Sequence, residues 1–180
     1  RIAGQIINIA IDSTETVSIK AEYPGMASQY EVSGSEECSR IKELTLMQMG
    51  LQTQLNAIAN NPQLGADAVN DSVARVVEAY KTRVKTDYIF KEPMKASSYF
   101  ALFQTLNAGG QSVLIFNPRS SEQDVKVFAA VATSWDTFYP NEERGENLHN
   151  IAIEGMKDIR IIKNKQAQGL VAADKVNTTG

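Results

Sequence analysis

The chain has 180 residues, of which 43% are hydrophobic and 22% charged, enough for one sizeable core with an appended segment. Its net charge of -3, with the basic residues dispersed, speaks against nucleic acid as the main partner, and no apolar run approaches the ~20 residues of a membrane-spanning helix. One cysteine, Cys38, excludes an internal disulfide, there is no secretory signal, and an opening at Arg1 without Met points to missing N-terminal residues.

Residues 2–11 are apolar and β-leaning, and Asp12, Ser13 and Thr14 end them. Residues 16–23 alternate as Val17, Ile19, Ala21 and Tyr23 against polar neighbours, which predicts a half-buried strand closed by the turn dipeptide Pro24-Gly25. Residues 33–40 read as a polar loop. In residues 44–55 Met47, Met49 and Leu51 lie two apart, as do Leu44 and Leu46 on the opposite face, which favours a strand buried on both faces in its first half, although Met, Leu and Gln are also helix formers. A helix is predicted from Asp71 or Ser72, with Val73, Val76, Val77 and Tyr80 as its inward stripe. A strand at 87–91 and a second helix from Ser97 or Ser98 to a Gly109-Gly110 stop follow, then a short strand at 112–116.

The last third carries the strongest pattern. Val125, Val127, Ala129, Val131, Thr133 and Trp135 alternate, as do Ile151, Ile153, Ile159 and Ile161. Two long strands joined by the charged loop 138–147 are therefore expected, with residues 164–180 as a flexible or partner-ordered tail. The predicted fold is α+β: a mainly antiparallel β-sandwich-like domain over 1–163, with two central helices and a long C-terminal β-ribbon.

The residues offer little chemistry. His149 is the only histidine, which leaves no Ser-His-Asp or Cys-His arrangement, and one Cys with one His cannot build a tetrahedral metal site. Glu36-Glu37 and Glu142-Glu143 with Glu146 lack the oxygen spacing of an EF-type calcium loop. No cofactor, metal or catalytic residue is expected. Trp135, Phe138 and Tyr139 crowd the root of the charged loop, where aromatics anchor an interface or simply fix a hairpin end. Residues expected at a subunit interface are Trp135, Phe138, Tyr139, Glu142, Glu143, Arg144, Glu146 and Arg160, together with the tail after Asn164.

The order of segments adds a resemblance. A strand ending in Thr133-Ser134-Trp135-Asp136, the charged turn 141–147, and a closing segment with Lys157, Ile159, Arg160 and Ile161 resemble the N-terminal domain of distal-tail (Dit-like) proteins of tailed bacteriophages. The similarity covers residues 16–163, departs from the family at Phe128-Ala129-Ala130-Val131-Ala132, and has no counterpart of the carbohydrate-binding-like second domain of some members. It implies a non-enzymatic virion tail protein, assembled in the host cytoplasm. Such a protein forms a hexameric ring that joins the tail tube to the baseplate hub, with DNA only as passing cargo. A tail-tube or other neck or tail ring subunit is the alternative reading, and a small ligand-binding or hydrolytic domain is a third.

Overall fold

The computed structural model describes residues 5–11 and 14–177, with side chains as far as Gly169. The expected β-sandwich is absent: the described chain is 61% helix, and its strands form only two small two-stranded sheets. The chain divides into two compact units, Arg1–Ile115 and Phe116–Gly180.

In the first unit, β1 (Ser18–Lys20) pairs antiparallel with β2 (Glu31–Ser33), so the half-buried strand expected at 16–23 shrinks to three residues. Residues 5–11 form no strand, and 1–4 and 12–13 lie outside the described residues. Helix α1 (Glu36–Ala59) replaces both the polar loop at 33–40 and the strand expected at 44–55. Ser35 starts it by accepting the N–H of Cys38 through its side chain (3.3 Å), with Glu36 and Glu37 at the positive end of the helix dipole. Its inward residues Cys38, Ile41, Leu44 and Leu51 keep helical spacing, which the alternation of Met47, Met49 and Leu51 had obscured.

Helix α2 (Ala66–Val84) turns Val73, Val76, Val77 and Tyr80 inward, as its stripe required. It runs into a π-helical turn at Lys85–Ile89, where a strand was expected. Helix α3 (Ala96–Leu102) then ends well before Gly109-Gly110. These glycines, both at positive φ (60° and 83°), instead form the two-residue turn between β3 (Thr105–Ala108) and β4 (Gln111–Leu114). A hairpin turn of that kind requires the left-handed region twice in succession, which glycine adopts without strain. Buried Gln104 ties the unit together. Its amide donates to the Leu44 carbonyl (2.9 Å) and accepts from the Tyr80 hydroxyl (2.7 Å), while its backbone carbonyl receives Ile115 N–H (3.0 Å).

The second unit is a helical hairpin in place of the β-ribbon. Helix α4 (Glu122–Phe138) is capped by Ser121, whose hydroxyl accepts Asp124 N–H (3.2 Å). Its buried residues Asp124, Val125, Val127, Phe128, Val131, Ala132 and Trp135 follow the helical steps of three and four. Of the alternating residues that predicted a strand, Val125, Val127, Val131 and Trp135 belong to that wider stripe, while Ala129 is half-buried and Thr133 is exposed. Helix α5 (Glu143–Asn177) runs back along α4, and what was expected as a tail after Asn164 continues this helix as far as Asn177, with 178–180 outside the described residues.

The inward residues of α5 are mostly small: Gly145, Leu148, Ala152, Gly155 and Ile159. A Cβ on Gly155 would stand 2.6 Å from the Pro118 carbonyl oxygen and 3.0 Å from Val125 Cγ2, so the backbones approach too closely for any side chain. Gly50 in α1 has open space around the same position. Gly155→Ala is therefore expected to destabilise the fold by about 1–3 kcal/mol through overpacking, despite alanine's better helix propensity. Gly50→Ala should stabilise it by about 0.5–1 kcal/mol. Urea unfolding of both variants checks the pair, and a neutral Gly155→Ala would contradict the close crossing.

Candidate functional site

Two places gather polar or exposed groups unusually. The first lies at the π-helical turn of the first unit. The extra residue there, marked by the bond from Phe90 N–H to the Lys85 carbonyl (2.9 Å), turns Tyr88 towards α1. The Tyr88 hydroxyl donates to Glu43 (2.9 Å), and the Arg40 guanidinium lies 5.2 Å above its ring. Arg40 also reaches Glu92 (2.5 Å) and the Ser97 hydroxyl (3.0 Å). Glu37 accepts Ser97 N–H (2.7 Å) and lies 3.8 Å from Lys95 Nζ. Arg40 pairs with Glu92 and Lys95 with Glu37, while Glu43 takes the Tyr88 hydroxyl. The bonds run between elements, from α1 to the π turn and to the start of α3, which makes the cluster a polar clamp.

The clamp has a pH signature. Burial first, then the bond to Glu43, pushes the Tyr88 hydroxyl up to about 12 from its ordinary 10.0. The neutral form is thus favoured in the folded state. Its contribution to stability is complete below pH 10 and is lost as pH rises to 12, because only the unfolded chain ionises in that window. Tyr88→Phe should flatten the fall in stability between pH 10 and 12 relative to the parent chain, measured by urea midpoints at several pH values. An unchanged slope would show that Tyr88 titrates normally.

The second place is the α4–α5 hairpin, which holds all the residues expected at an interface. The charged loop at 138–147 contracts to a tight turn. Asn141 takes a left-handed conformation (φ 65°), which Asn tolerates, and the carboxylate of Glu142 accepts Arg144 N–H (2.6 Å) to start α5. Glu143, Arg144 and Glu146 are therefore first-turn helical residues with exposed side chains. Trp135 is buried and its ring meets that of Tyr139, one helical turn on, with centroids 5.2 Å apart. Phe138 points away and is exposed. Arg160 is also exposed but stands some four turns from the hairpin's turn, so the eight residues are not one patch. His149 Nε2 lies 2.5 Å from the Asp136 carboxylate across the hairpin.

Sequence reasoning missed the residues that now stand out. Ile153 (45% exposed), Met156 (51%) and Ile161 (51%) face outward from α5, while glycine and alanine face α4. Alternation had placed the isoleucines in a core. The small-residue spacing Gly145, Ala152, Gly155 was the available signal for the opposite orientation. At the far end, Lys163 bonds Glu122 (2.5 Å) and holds its carboxyl below the usual range; past this point α4 offers nothing opposite. Every described side chain from Arg160 to Gly169 is exposed. A shallow cleft of about 310 Å³ lies beside this end, lined among others by Val125, Met156 and Arg160.

Among the described residues no group of three His, Cys, Asp or Glu could hold a metal ion, and no helix is long and apolar enough to cross a membrane. No protein-family description, curated protein or solved structure matches this chain, so its own geometry carries the functional reading.

Proposed function

We propose that this chain is a non-catalytic assembly subunit that associates with copies of itself through the outward side of α5. The observation that carries the reading is the mismatch of the hairpin. Helix α4 has 17 residues and α5 has 35, and large apolar side chains occupy the face of α5 that α4 does not cover.

Physical chemistry makes that mismatch informative. Helical stability in proteins comes mainly from packing an amphipathic face, and isolated helices shorter than about 12–15 residues are marginal in water. Residues 160–169, all exposed, extend α5 by about 15 Å at 1.5 Å per residue beyond Ile159, the last buried residue among those whose side chains are described, and the helix itself continues to Asn177. Such a projection gains its packing from another molecule. The distal-tail reading rested on a strand, a turn and a strand, and these are α4, a tight turn and α5. Self-assembly without catalysis is retained from that reading; a ring built by pairing the edges of a C-terminal ribbon has no strand in α4 or α5 to build on.

Amide hydrogen exchange tests the reading. Protection across residues 160–177 should rise with protein concentration as copies cover the helix. Exchange at the same rate from dilute to concentrated solution would overturn it.

A further inference from the structure

The outward side of α5 has an order of its own. Glu146, His149, Ile153, Met156, Arg160 and Lys163 recur at steps of three, four, three, four and three, the heptad spacing of a helix that packs along another helix. Each of the first five stands one residue beyond an inward residue of α5, so the two stripes run side by side. The outer stripe begins acidic at Glu146 and passes through Ile153 and Met156. It ends basic at Arg160 and Lys163. Asp136, drawn to His149, adds to the acidic end. Neither Glu146 nor Arg160 makes an ion pair among the described residues.

A stripe that is acidic, then apolar, then basic is its own complement when reversed. We infer that the occupant of this face is the α5 helix of a second copy of this chain, lying antiparallel about a two-fold axis near Ile153 and Met156. Glu146 of each copy then faces Arg160 of the other, Lys163 being held by Glu122 of its own chain, and Ile153 and Met156 of both copies pack together at the axis. Parallel packing would set Glu146 against Glu146 and Arg160 against Arg160, which like-charge repulsion disfavours. The result is a four-helix arrangement made of two hairpins, with the shallow cleft beside Met156 next to the incoming helix. This partner assignment rests on the self-assembly reading and narrows it to one surface and one direction.

Charge reversal tests it, with sedimentation velocity reading the dissociation constant and circular dichroism confirming that the exposed substitutions leave the helices intact. The parent chain should dimerise. Glu146→Lys and Arg160→Glu should each weaken the dimer about tenfold or more, since each creates two like-charge contacts across the two-fold. An equimolar mixture of the two single variants should recover the parent affinity, because every reversed charge then meets its opposite. Variants that dimerise like the parent, or a mixture that stays monomeric, would overturn this interface and leave self-assembly through another surface standing. A parent chain that remains monomeric at every concentration would overturn both.

Discussion

The close crossing of α5 over the start of α4 is the constraint on which the second unit depends. Gly155 brings the helix within van der Waals reach of the Pro118 carbonyl and Val125, and Gly145 and Ala152 continue the same thin side. Close packing removes room, and room is what large side chains need. Ile153, Met156 and Ile161 consequently stand outside. The same small residues that make the hairpin tight therefore make its outer surface apolar. The tight hairpin and its apolar outer face are two results of one packing choice.

The first unit uses its polar residues differently. Gln104 joins Leu44 in α1 to Tyr80 in α2 through two buried bonds, and an unpaired group there would carry the desolvation cost of about 1–3 kcal/mol. Arg40 links the π turn and the approach to α3 through Glu92, Ser97 and the ring of Tyr88. Its planar guanidinium serves several partners in different directions, which a lysine ammonium cannot imitate. Through these bonds the two groups hold the helices of the first unit against one another.

How much of this was legible in the sequence varies by element. Helix α2 was readable because Val73, Val76, Val77 and Tyr80 lie on one side and the opposite side is charged. Helix α4 was misread because its valines alternate, and β-branched residues at period two imitate a strand when the intervening Phe128 and Ala132 are discounted. The cap at Ser121 was the local signal that should have decided it, as was Ser35 before α1. Gly109-Gly110 looked like a helix stop and is a hairpin turn, since both roles need positive φ. The two strands expected on either side of the turn after Trp135 are the helices α4 and α5, so the expected β-ribbon was wrong. Of the residues expected at an interface, Glu146 and Arg160 lie on the outer stripe of α5 and Trp135 lies in the hairpin's buried face. The outward apolar face of α5 was hidden because large apolar residues are ordinarily assigned inward, a default that a glycine-lined crossing reverses.

Self-association is the central claim, and the mass of the chain in solution tests it most directly. Light scattering across a hundredfold concentration range, at low and at high salt, should show a rise from the mass of one chain towards two. High salt should shift that rise to higher concentration, because the paired ends of α5 are exposed and screened. A mass that stays at one chain throughout, at either ionic strength, would contradict the account.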